Sequence, residues 1–398
     1  LPEIGSNPLF YNESNIYSGK SPPAVALRQP DPVFSVLPEH RSSPSRQACS
    51  VKRIIAPGPG MSCDHRRGIL FFSEHKQRFF EEDIMAKTKI VQVASGTQLV
   101  NSHLQENYEV LALWEQADPQ AFLAEHGKGV RGLVTTAGHG LKNEWLDSLP
   151  DLGVVSSFGV GYDTIDAGEL KKRGIQLGNT PDVLNACVAD LAVCLLLGSA
   201  RQLVWGDRYV REGRWPVEGQ FPLAQSVSGK NVGIVGLGGI GMEVARRLAG
   251  FDCEIRYHNR KARDDVSYGY EASLTTLAEW ADYLVLTCVG GPSTHHLINR
   301  EVLLALGRKG TVVNVSRGTV IDETAMIQLL QQDKLGFAAL DVFEHEPDVP
   351  PALREHERVT LMPHSASATV ETRLKMSQRV IDNLDRFFEA GQVISRVV

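Results

Sequence analysis

Several features are scarce in this chain, and each scarcity closes off a class of protein. No apolar run approaches the roughly 18 to 20 residues that a membrane span needs. The best candidate runs from Val188 to Ala200 and carries Asp190 inside it, so it is expected to form a buried helix. A basic excess is also missing. The 41 Lys and Arg against 47 Asp and Glu leave a net charge of −6 and a pI near 6.1. That balance argues against a general binder of nucleic acid or of an anionic membrane surface. Cysteine is sparse and unpatterned. The six residues Cys49, Cys63, Cys187, Cys194, Cys253 and Cys288 form no CxxC pair and no Cys/His cluster at metal spacing,. A reducing, cytoplasmic setting follows, with no disulfide framework and no metal. The last four lie among apolar residues and are expected to act as small hydrophobes.

Periodicity is lacking in the first 84 residues. Half of the 20 prolines fall before residue 60, with Ser, Asn and Gly between them. Such a segment buries too little apolar surface to offset its ordering entropy. It mixes acidic and basic residues, unlike a transit peptide, and has no hydrophobic region of the signal-peptide kind. Residues 1–84 are therefore expected to be a disordered extension. Met85, in MAKTKIVQVAS, reads as a start followed at once by a strand.

From Lys89 onward, strands and helices alternate. Short apolar strands are expected at 90–94, 110–113, 132–135, 154–157 and 176–178, with amphipathic stretches such as 119–126 and 167–172 between them. A second series runs through 232–235, 255–257, 283–287, 311–315, 336–340 and 359–361, and a long amphipathic helix follows at 371–389. Alternation with short loops predicts parallel sheets covered on both faces. The fold class is α/β, and the second series reads as a doubly wound nucleotide domain.

The strand at 232–235 runs into GLGGIG and then into a helix, the context that makes a GxGxxG turn specific. Gly236 permits the tight turn, Gly238 lets the backbone approach a pyrophosphate, and Gly241 lets helix and strand pack closely. Gly239 and Ile240 complete the turn, and the helix N–H groups face the phosphates. At the end of the next strand, an NAD site would carry an acid for the ribose hydroxyls. This chain has His258, Asn259, Arg260 and Lys261 there, and no carboxylate before Asp264. Arg260 and Lys261 would attract a 2′-phosphate. NADPH is predicted over NADH.

Downstream lie Arg317 in NVSRGTVID, Glu346 in LDVFEHEP and His364 in MPHSASAT. With VGYDTID, NTPDVLNACVADLAV and PHSASATVETR, these segments closely resemble the D-isomer-specific 2-hydroxyacid dehydrogenase family. The resemblance covers most of the chain from Met85. Within the family it is nearest to the NADPH-dependent reductases of glyoxylate, hydroxypyruvate, 2-ketogluconate or arylpyruvates. It implies that Arg317 pairs with the substrate carboxylate and polarises the keto oxygen. His364 would be the general acid, and Glu346 would orient its imidazole and raise its pKa. Backbone N–H groups of Val160 and Gly161 would receive the carboxylate, with Ser316 and Asp341 near the nicotinamide. Gly239 departs from the family, because many relatives carry Arg or His there.

The resemblance also implies a flavodoxin-like substrate domain, discontinuous over 85–183 and 367–398. A Rossmann coenzyme domain would occupy 184–366, with a cleft between the two and a homodimer formed through the coenzyme domain. Two other readings stay open: a nucleotide-sensing, corepressor-like binding protein of the same fold, and an NAD-dependent phosphoglycerate dehydrogenase. Trp215 is expected to pack, with a dimer contact as the alternative. His258, His295 and His296 read as surface or packing residues.

Overall fold

The computed structural model describes residues 87–398, and the extension expected over 1–84 lies outside the described residues, as does Met85. A first sheet contains β1 (Lys89–Gln92), β2 (Glu109–Ala112), β3 (Val130–Thr136), β4 (Val154–Phe158) and β5 (Gln176–Gly178). Its order is β2-β1-β3-β4-β5, parallel throughout. This is the flavodoxin-like winding. All five residues of β4 are buried, as are Ile90, Val91 and Leu133 in its neighbours. Strands covered on both faces need such continuous apolar runs.

One face of this sheet is covered by the helices Gln98–Asn107 and Val370–Ala390. Val380, Ile381 and Leu384 of the latter are buried in that contact. Polar ties fix its register: Ser156 Oγ donates to the Val380 carbonyl at 2.9 Å, and Asn383 Nδ2 donates to the Asn179 carbonyl at 3.0 Å. The segment after this helix lies along β5, where Val397 N–H donates to the Leu177 carbonyl at 2.7 Å. The opposite face is filled by Leu123, Trp145, Leu146 and Leu170.

The second sheet contains β6 (Asn231–Val235), β7 (Glu254–His258), β8 (Gly269–Tyr270), β9 (Tyr283–Leu286), β10 (Thr311–Asn314), β11 (Phe337–Leu340) and β12 (Val359–Leu361). Its order is β12-β11-β10-β9-β6-β7-β8, again parallel. From β6 the chain winds one way through β7 and β8, then crosses back to β9. That reversal is the switch point where open α/β sheets bind ligands, beyond the carboxyl ends of the strands. The helix Asn185–Ala200 packs on Gly239–Ala249 and across β10, β11 and β12.

Asp190 interrupts the apolar run because it points outward, accepting from Arg247 Nε at 2.6 Å. Among the described residues, no single helix is long and apolar enough to cross a membrane.

Three expectations are corrected. β8 was not anticipated, because its two residues are exposed and carry no apolar alternation. Trp215 does not pack within the chain, being 60 % exposed on the short helix Trp215–Glu218. Cys194 is exposed rather than acting as a small core hydrophobe, since the helix Asn185–Ala200 turns that face outward, while Cys187, Cys253 and Cys288 are partly buried.

Candidate active site

Every predicted site segment leaves the carboxyl end of a strand. The 159–163 loop follows β4, the glycine-rich turn follows β6, and the Arg260 loop follows β7. Arg317 follows β10, Glu346 lies beyond β11, and His364 comes after β12.

The turn after β6 is shaped for close approach. Gly236 takes a φ of 99°, and a Cβ there would lie 2.5 Å from the Cys288 nitrogen. A Cβ on Gly241 would lie 2.5 Å from the Gly236 carbonyl, so helix and strand pack too closely for any side chain. Gly238 differs: its Cβ position has no neighbour within 4 Å and faces open space. Gly239 is backed by the Asn185 amide, 2.5 Å from its Cβ position. The first N–H groups of the helix Gly239–Ala249, which includes Ile240, lack intrahelical partners,. This cradle fits a dinucleotide pyrophosphate.

The β7 loop clamps the turn from outside. Leu237 N–H donates to Asn259 Oδ1 at 2.7 Å, and Arg263 Nη1 donates to the Leu237 carbonyl at 2.7 Å. Asn259 thus acts through the turn itself, a role its sequence position did not reveal. Arg263 belongs to the same clamp and could have been noticed only as one more basic residue in NRKAR. Arg260 and Lys261 are exposed, and neither forms an ion pair among the described residues.

His364 and Glu346 meet directly. Nδ1 of His364 lies 2.6 Å from Glu346 Oε2, while Glu346 Oε1 accepts Phe343 N–H at 2.9 Å. An ionised carboxylate only accepts, so Nδ1 carries the proton and Nε2 is left for a substrate. Burial works to raise the Glu346 carboxyl. The His364 hydrogen bond and charge, the Phe343 N–H and the Arg317 charge outweigh it, and the group ends below the usual carboxylate range.

The His364 backbone is left-handed, with a φ of 51°, which is uncommon for a residue bearing a Cβ,. Asp341 explains how this is held. Its carbonyl accepts His364 N–H at 2.7 Å, and its carboxylate accepts Ser365 N–H at 2.7 Å and Ala366 N–H at 2.9 Å. Burial raises the Asp341 carboxyl, and those two N–H groups oppose the shift.

Buried Asn314 braces the Arg317 turn. Its Nδ2 donates to the Arg317 carbonyl at 2.9 Å, and its Oδ1 accepts Ser316 N–H at 3.0 Å. Ser316 Oγ donates to the Cys288 carbonyl, joining this turn to the segment that follows β9. The Arg317 guanidinium lies against Gly161, whose Cβ position it overlaps. Neither Val160 nor Gly161 N–H meets an acceptor among the described residues. Two groups of unpaired donors therefore meet in one place, an arrangement that suits a small carboxylate.

Residues 193–366 match the model of the D-isomer specific 2-hydroxyacid dehydrogenase NAD-binding domain. A glyoxylate/hydroxypyruvate reductase A from Arabidopsis thaliana is 40 % identical over 314 residues, covering 79 % of this chain and 100 % of that protein. The chain belongs to the D-isomer-specific 2-hydroxyacid dehydrogenase family.

Like the rest of this family, it is an NAD(P)-dependent oxidoreductase. A hydroxyphenylpyruvate reductase from Plectranthus scutellarioides is 42 % identical over 75 % of this chain and 95 % of its own length. The fold matches the crystal structure of an NADPH-dependent glyoxylate/hydroxypyruvate reductase from Sinorhizobium meliloti in complex with NADP and malonate. That match has a TM-score of 0.74 and 40 % identity, over 79 % of this chain and 97 % of the other.

The remaining histidines of interest stand apart from the trio. His258 Nδ1 is 2.9 Å from the Glu271 carbonyl. His295 and His296 stack at 3.9 Å, and His296 Nε2 is 2.8 Å from Glu344 Oε1. These three side chains are near enough to share a metal ion.

Proposed function

We propose that the protein reduces a small 2-keto acid to the D-2-hydroxy acid, with NADPH preferred over NADH. The observation that carries this reading is the His364–Glu346 pair, which holds the imidazole by Nδ1 and leaves Nε2 free to exchange a proton with a substrate. The reduced nicotinamide, when bound, supplies a hydride. The protein's part is binding, orientation and the proton.

The GLGGIG turn and its helix N–H groups hold the pyrophosphate, and Arg260 and Lys261 take the 2′-phosphate. Arg317, with the N–H groups of Val160 and Gly161, grips the substrate carboxylate and polarises the ketone. His364 delivers a proton to the ketone oxygen as the carbonyl carbon is reduced, and Glu346 stabilises the imidazolium. Asp341 and Ser316 hold the loops that face the nicotinamide. In this reading residues 85–183 and 367–398 carry the substrate, and 184–366 the coenzyme. Leu203, Val210, Trp215, Val217 and Leu223 of the coenzyme domain are exposed apolar residues. They support a homodimer, checked by light scattering of the eluting protein.

The test is oxidation of NADPH against NADH with glyoxylate, hydroxypyruvate, 2-ketogluconate and phenylpyruvate. Turnover above about 1 per second with one of them supports the reductase. NADPH binding without turnover of any moves the weight to a nucleotide-sensing protein.

A further inference from the structure

We propose that Asp163 is a positioning residue that aims the Arg317 guanidinium at the substrate carboxylate. The proposal rests on the reading of Arg317 as the substrate's carboxylate anchor. Arg317 Nε lies 3.2 Å from Asp163 Oδ1 and 3.3 Å from Oδ2, and Nη1 donates to the Ser316 carbonyl at 2.9 Å.

A guanidinium has five N–H donors. One is held by Asp163 and one by Ser316, which leaves three on the Nη edge without an acceptor among the described residues. Asp163 therefore does not occupy the forked edge that a substrate carboxylate needs. It pins the opposite side and turns that edge toward Gly161, whose N–H is also free.

The two partners come from different sheets. Asp163 lies five residues beyond the end of β4, in the loop that holds Val160 and Gly161, while Arg317 follows β10. Their side chains are only 21 % and 25 % exposed, so the pair is shielded from water more than a surface ion pair would be,. Gly290 closes the same contact, since a Cβ there would meet Arg317 Cγ at 2.5 Å and Asp163 Oδ2 at 3.3 Å.

The same ion pair admits an opposite reading, in which Asp163 is a resident carboxylate that substrate must displace. The two readings predict opposite signs. The experiment titrates oxalate into the full chain saturated with NADP by calorimetry, using wild type, D163N, D163S and D163E. Oxalate presents a carboxylate beside a carbonyl-like oxygen and does not react. Positioning by Asp163 predicts about 10- to 100-fold weaker oxalate binding in D163N and D163S. It also predicts partial recovery in D163E, unchanged NADP affinity, and less than about twofold further effect of D163N in an Arg317→Gln background.

Unchanged or tighter oxalate binding in the correctly folded D163N or D163S protein overturns the proposal. So does an undiminished D163N effect in the Arg317→Gln background. Failure of the reductase reading is separate. It shows as a wild-type protein that turns over no 2-keto acid, whatever the oxalate titrations give.

Discussion

The two ends of the cleft are built from different materials. The proposed coenzyme end is mostly backbone: a left-handed Gly236, an open Gly238, a tightly packed Gly241 and the first N–H groups of a helix. The proposed substrate end is mostly side chains, with Arg317, Glu346 and His364 brought together from three loops. A backbone site tolerates change only where the chain has room. A side-chain site depends on what holds each group in place, here Asn314, Asp341 and the Phe343 N–H.

This contrast breaks most sharply at His364. Replacing it with alanine is expected to lower keto-acid turnover by about 10²- to 10⁴-fold. NADPH affinity, read by quenching of protein fluorescence, is expected to stay within twofold. A parallel loss of NADPH affinity would show that the two ends do not act independently.

The backbone end is tested with two alanines of the same size. Gly241→Ala forces a methyl onto the Gly236 carbonyl and is expected to destabilise the fold by about 1–3 kcal/mol, seen as a lowered thermal midpoint,. Gly238→Ala points into open space, so the midpoint should hold while NADPH binding weakens. Equal thermal midpoints for the two variants would contradict the packing described for Gly241.

Arg260 and Lys261 are the side-chain exception at the coenzyme end. Replacing both with alanine is expected to lower the NADPH-to-NADH preference in kcat/KM by about tenfold to a hundredfold, the scale of one or two hydrogen bonds to charged groups. The keto-acid KM at saturating cofactor should not move. If preference is unchanged, the 2′-phosphate is read elsewhere.

The smallest effect concerns acid stability. Glu346 titrates below its ordinary 4.5 in the folded chain. Its contribution is therefore complete above that value and is lost as pH falls through the lower folded pKa. The thermal-midpoint difference between wild type and Glu346→Gln should be flat above about pH 5 and shrink below pH 4.5. A difference that grows on acidification would reverse the assignment.

The legibility of the chain follows the same division. Strand–helix alternation marked most of both sheets because their strands are buried runs with short loops. The glycine turn was readable because backbone geometry demands Gly at set spacing. Asp163 was hidden within VGYDTID, since an aspartate in a loop carries no signal of the arginine 154 positions away that it meets. The Asn259 and Arg263 clamp on Leu237 was hidden for the same reason. Trp215 misled because a large aromatic is usually read as core, and the surface it leaves exposed appears only in three dimensions.

One consequence lies in the order in which the chain is made. The first sheet is complete in sequence by Gly178, yet the longer of the two helices that cover one of its faces begins at Val370, and the last segment to dock on β5 follows still later. A nascent chain therefore leaves part of an apolar sheet face uncovered throughout synthesis of the whole second sheet. The two walls of the cleft therefore reach their final form together.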